Sequence, residues 1–223
     1  MILIRFSFMK CSTSVLTAFF TVVCLLAGSA EPCFSQKRYI IKKKSVDRRA
    51  AKPDANQAIR TLATKITRGA SSDAQKTEAI FNWLATNIDY DNELRLNTTL
   101  QKQIYTTEDN VMLHALKRKK ALCGGYAFLF KSMCAAVGVD AAIIHGYTKQ
   151  SHQQQKVIGD PEHTWNAVYL NGEWKLLDIT WAVSHGSAKK PQRFWYLTEP
   201  SDFNRTHVPQ IAKWKLADQT ATK

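Results

Sequence analysis

No two cysteines in this 223-residue sequence stand at Cys-x-x-Cys or another zinc spacing, and no calcium-loop pattern is present. The chain therefore writes no metal or other cofactor into its motifs. Long apolar runs are also missing. The stretch from Val15 to Ala27 falls short of the ~20 residues that a membrane span takes. Acidic residues are scarce, with 18 Asp and Glu against 31 Lys and Arg and a formal charge of +13. Residues are 45% hydrophobic and 22% charged, a balance that excludes both a disordered chain and one buried throughout in lipid. What remains is a folded domain with extra segments at its N-terminal end.

Those segments read clearly. From Met9 the sequence runs MKCSTSVLTAFFTVVCLLAGSA: one lysine, the apolar run, then small residues. This is the shape of a secretory signal over residues 1–35, cleaved after Ala30 or Ser35, and it predicts a secreted or periplasmic protein. Cys24 follows two valines and Cys33 follows Glu-Pro, not the small residues a lipid anchor requires. A basic arm over residues 36–53 comes next, with eight Lys or Arg against the single acid Asp47. Such an arm suits a flexible solvated leader, or a tether to an anionic envelope surface. Nucleic acid is not the expected partner of an exported chain. The domain proper is then residues 54–223.

Export frames the cysteines. Cys11 and Cys24 leave with the signal, which keeps Cys123 and Cys134 with or without Cys33. The first two of these share one predicted helix and stand too far apart to bridge. A free thiol in an oxidising compartment needs a reason.

Asp54 can cap a helix over ANQAIRTLATKI, and Ser72 with Gln75 fits a capping box ahead of an apolar stripe of Ile80, Phe81, Leu84, Ala85 and Ile88. A polar connector over 91–106 precedes a third helix, EDNVMLHALKRKK. Thr107 is its cap, acids fill its first turn and bases its end. His114 reads as a half-buried residue of that helix. The next helix opens as LCGGYAFLFKSMCAAVGV. Tyr126, Phe130, Met133, Cys134 and Val137 share a face, and Gly138 is the stop. Cys134 belongs to packing. Cys123 stands at the helix start, where free N–H groups and the dipole favour a thiolate. Gly124 and Gly125 behind it read as space cleared for a substrate, or as a tight turn.

Downstream, AAIIHGY (141–147) is a strand and residues 148–162 are a polar loop, read as a plain connector or, just before His163, a substrate-gating lid. HTWNAVYLNGEWKLLDITW is a hairpin about Asn171-Gly172. A two-residue turn there sets Leu170 against Glu173, Ala167 against Leu176 and Trp165 against Asp178. His163 then lies diagonally beside Asp178, ~7–8 Å apart at the backbone. If the Cys123 helix covers this face, thiol, imidazole and carboxylate converge. Cys123 is then the nucleophile, His163 the acid–base group and Asp178 its orienting carboxylate. His145, His152, His185 and His207 lack such a predicted carboxylate partner.

These stretches, together with AIFNWLATNIDYD and the tail FWYLTEPSDFNRTHVPQIAKWKL, resemble the transglutaminase-like superfamily, in the branch of kyphoscoliosis peptidase and cytokinesis-type proteins. The resemblance implies an α+β papain-like core, with the nucleophile helix packed on an antiparallel sheet and Cys123, His163 and Asp178 as triad. It adds Tyr90 as a candidate to line the site or assist the oxyanion. Gly124, Gly125 and Trp165 complete the candidates for substrate or oxyanion contact. The implied activity is acyl transfer through a cysteine thioester on a protein or peptide, by hydrolysis or by cross-linking. A non-catalytic binding module on the same fold is the alternative from another class.

Overall fold

The computed structural model describes residues 55–149, 160–186 and 190–216. The signal and arm expected over residues 1–53, the Asp54 cap and most of the 148–162 loop lie outside them. Helix α1 (Ala55–Ile66) buries Ile59 and Ala63, and α2 (Asp73–Asn87) buries Ile80, Phe81, Leu84 and Ala85. The Ser72 hydroxyl accepts from Gln75 N–H, but the Gln75 side chain returns to Ser71 N–H, one residue before the capping-box position.

Strand β1 (Asp89–Tyr90) follows, and the supposed connector holds two short helices, α3 (Asn92–Leu96) and α4 (Thr98–Ile104). The polar residues that suggested a loop are their caps. The Asp91 and Asn97 side chains accept from the N–H groups of Leu94 and Leu100, both at 2.9 Å. Leu94 and Ile104 form a small core with Val111 of α5 (Glu108–Arg118), which Thr107 caps. Helix α5 ends two residues earlier than its sequence suggests. Lys119 turns left-handed (φ 58°) and Lys120 enters β2 (Lys120–Ala121), which pairs parallel to β1.

Helix α6 (Cys123–Ala136) is the central element. Tyr126, Leu129, Phe130, Met133 and Cys134 are all buried, at about 1.5–3 kcal/mol for each large apolar side chain. Its end is a Schellman motif: Gly138 at φ 78°, Gly138 N–H to Ala135 and Val139 N–H to Cys134. The helix lies against an antiparallel sheet of β3 (Ala141–Thr148), β4 (His163–Leu170), β5 (Glu173–Leu177), β6 (Tyr196–Thr198) and β7 (His207–Pro209), in the order β6-β5-β4-β3-β7. Ile144, Trp165, Ala167, Val168, Leu176 and Leu177 meet the helices in one core. Helix α7 (Ile179–Ser184) follows β5, and α8 (Pro200–Phe203) precedes β7.

The hairpin register is the expected one, with Leu170 opposite Glu173, Tyr169 opposite Trp174 and Ala167 opposite Leu176. Asn171 (φ 53°) and Gly172 (φ 88°) make the turn. The ladder stops at Leu177, however. Asp178 leaves the strand to cap α7, its Oδ1 accepting from Trp181 N–H at 3.0 Å, so DITW is a helix start rather than the end of a strand.

Candidate active site

Cys123 is the first residue of α6, half-buried and unbridged. Leu122 precedes it and has no side-chain oxygen to cap the helix. The amides of Cys123 and Gly124 are the first of the helix and lie beside the sulfur. Burial pushes the Cys134 thiol up, in keeping with a packing role. The two thiols of the domain thus occupy opposite environments, a helix mouth and a core.

His163 opens β4 and is 7% exposed. Its Nε2 lies 2.6 Å from Asp178 Oδ2, and the Cys123 side chain acts on the ring electrostatically. Burial works against the protonated ring, but Asp178 and Cys123 override it and raise the imidazole to about 10. Burial likewise opposes charge on Asp178, yet His163 and His207 hold its carboxyl well below the usual range. The favoured state is a carboxylate beside a protonated ring. The structure thus brings His163 and Asp178 together directly. The two meet because Asp178 turns out of the hairpin toward His163, not through continued strand pairing.

The other sequence candidates divide. Tyr90 pairs with Ala121 across β1 and β2, and burial with the nearby Cys123 raises its hydroxyl pKa. Gly124 lines a cleft of about 560 Å³ with Cys123, Tyr105, Phe128, His145 and Glu162. Gly125 does not clear space for substrate. A Cβ there would meet Ala121 Cβ at 2.9 Å, so this glycine lets α6 approach β2. Trp165 is 2% exposed and stacks on His163 with ring centroids 5.9 Å apart, so it packs against the imidazole. Its Nε1 has no hydrogen-bond partner among the described residues.

Two groups escaped the sequence. Tyr105, in the supposed connector, brings its oxygen to the Gly125 amide and its ring over Gly124. His207 places Nε2 3.0 Å from the same Asp178 Oδ2 that His163 uses, which corrects its reading as a histidine without carboxylate geometry. His145 stays on the cleft wall, exposed, with Nδ1 3.1 Å from Thr164 Oγ1. The ligand-type atoms of His163, Asp178 and His207 lie within 4.8 Å of one another. At 2.6 and 3.0 Å the two rings bond directly to the carboxylate oxygen.

A family model described as the transglutaminase-like superfamily matches residues 60–179, the span from α1 through the His163–Asp178 pair. The chain belongs to this superfamily. Its α6 on an antiparallel sheet is the α+β papain-like core of transglutaminase-like proteins. Kyphoscoliosis peptidase of Mus musculus is 32% identical over 179 residues, covering 77% of this chain and 26% of that protein. Its Homo sapiens counterpart is 30% identical over 175 residues, covering 75% and 25%. The chain thus spans about a quarter of these relatives' length. A solved structure described as that of a TGase aligns with a TM-score of 0.41 and 22% identity, covering 61% of this chain and 35% of that one.

Proposed function

We propose that this transglutaminase-like protein is a thiol enzyme that cleaves peptide or amide bonds through a thioester on Cys123. One observation carries the reading: His163 hydrogen-bonds Asp178 at 2.6 Å, with the Cys123 side chain at the start of α6 among the groups that act on the ring. His163 holds the proton taken from Cys123, and the sulfur attacks the substrate carbonyl carbon. The first-turn amides of α6 receive the developing oxyanion. His163 gives the proton to the departing amine as the C–N bond breaks. In the second half, water attacks the thioester while His163 takes its proton, the C–S bond breaks, and the acid leaves. The similarity to proteins named as peptidases supports hydrolysis over transfer to a lysine.

The setting we propose is extracytoplasmic. Residues 1–35 would direct export, residues 36–53 would tether the domain of residues 54–223 to anionic surface, and the substrate would be a protein of that compartment. The decisive experiment incubates extracytoplasmic proteins with wild type and with Cys123→Ala and reads the products by mass spectrometry. New termini made only by wild type support hydrolysis, isopeptide links would replace it with cross-linking, and identical product lists would leave only a binding module.

A further inference from the structure

Asp178 does not serve His163 alone. Its Oδ2 accepts from His163 Nε2 at 2.6 Å and from His207 Nε2 at 3.0 Å, while Oδ1 accepts from Trp181 N–H. His207 belongs to β7, the edge strand that pairs with Gly146–Thr148 of β3, and it lies beyond the family-matched residues 60–179. It is 1% exposed, and the rings of Trp165, Trp181, Trp195 and Phe203 enclose it with centroids 4.1–5.4 Å away. A polar ring in such a cage needs its nitrogens satisfied. Nε2 faces a carboxylate that only accepts, so it carries a proton. Burial lowers the pKa of this ring, which keeps it neutral and leaves Nδ1 bare. Thr206 Oγ1 lies 2.9 Å from Nδ1 and 3.3 Å from the Phe203 carbonyl, so its one proton has the nearer acceptor in the ring nitrogen. Asp178 and His163 are the ionisable groups that the described residues bring to the ring.

We propose that His207 is a positioning residue, held by Thr206, which shares the Asp178 carboxylate with His163 and so sets the orientation and proton affinity of the His163–Cys123 pair. This deepens the thiol-enzyme reading and rests on it. The His207 contact aims Oδ2 at His163 Nε2. Without it the carboxylate is free to turn, and its hold on the His163 proton weakens. The tail after residue 179 thus supplies part of the site, since β7 delivers the second imidazole.

The test is the rate of Cys123 alkylation by iodoacetamide against pH, in the full chain, with buried Cys134 as internal control. His207→Leu should slow Cys123 about ten-fold at neutral pH and move the alkaline limb upward by about one pH unit. His207→Gln, whose amide can donate from near the Nε2 position, should restore the wild-type profile. Thr206→Val should shift the limb the same way by a smaller amount. If His163→Ala removes the fast reaction while His207→Leu matches wild type, the inference fails and the triad stands. If His163→Ala changes nothing, both fall. Should His207→Leu not fold, Thr206→Val decides: an unchanged limb overturns the proposal, and a shifted one supports it.

Discussion

The side-chain amide of Asn166 on β4 donates to the carbonyl of Ala127 on α6 and to that of Ala142 on β3, each at 3.1 Å. One buried amide thereby ties the helix that carries Cys123 to the strand that carries His163. Asn166→Leu would fill much of the volume but remove both hydrogen bonds. That should cost about 1–3 kcal/mol in chemical denaturation. If the clamp also sets the distance between α6 and β4, Cys123 alkylation in the folded variant should slow at neutral pH. A variant that loses stability but keeps the wild-type alkylation rate would show that Asn166 serves packing alone.

Asp178 has two tasks on two oxygens, and a single substitution separates them. Asn at this position keeps a carbonyl oxygen able to accept from Trp181 N–H, so the α7 cap survives. It replaces the charged acceptor that fixes the proton position on His163. Asp178→Asn should melt within a few degrees of wild type yet lose about 10³–10⁴-fold in turnover on any peptide it cleaves. Parallel losses in stability and turnover would instead mark Asp178 as structural.

Gly124 and Gly125 are adjacent but should respond differently to alanine. At 124 the new methyl meets Tyr105 Cε1 at 3.2 Å, the end of a side chain that can swing aside. Gly124→Ala should fold normally, with its effect confined to substrate binding in the cleft and read as a raised KM. At 125 the methyl meets Ala121 Cβ at 2.9 Å, with Ala115 and Val111 behind it. Overpacking of this kind costs about 1–3 kcal/mol, so Gly125→Ala should lower the melting temperature clearly. Equal melting temperatures for the two variants would contradict this division.

What could be read from the chain follows how locally each feature is encoded. The hairpin register was legible because Asn171-Gly172 fixes it within the turn itself. The α6 boundaries were legible from Gly138 and the apolar stripe. The α3 and α4 helices were not, since Asp91 and Asn97 look like loop residues until their caps form. His207 was invisible for a different reason. Its partner stands 29 positions earlier, and only the closure of β7 onto β3 brings the two together. Gly125 suggested chemistry and is packing, because a glycine's sequence context does not say what lies above its α-carbon.

The ionisation of the site also predicts how stability varies with pH. His163 rises from 6.5 to about 10 on folding. Its ion pair with Asp178 is therefore fully stabilising below pH 6.5, weakens steadily above that, and is gone once pH passes about 10. The acid side has other causes. The depressed Asp178 contributes above its ordinary pKa near 3.8 and loses that contribution as pH falls through its lower folded-state value. Burial of neutral His207 adds a penalty as pH drops below 6.5. Thermal melts from pH 6.5 to 10 should show a falling midpoint in wild type and a flatter one in His163→Gln, where that proton no longer exists. The two curves should converge at the alkaline end. Parallel slopes would mean that the proton on His163 contributes nothing to the fold, and that the ring is neutral before any substrate arrives.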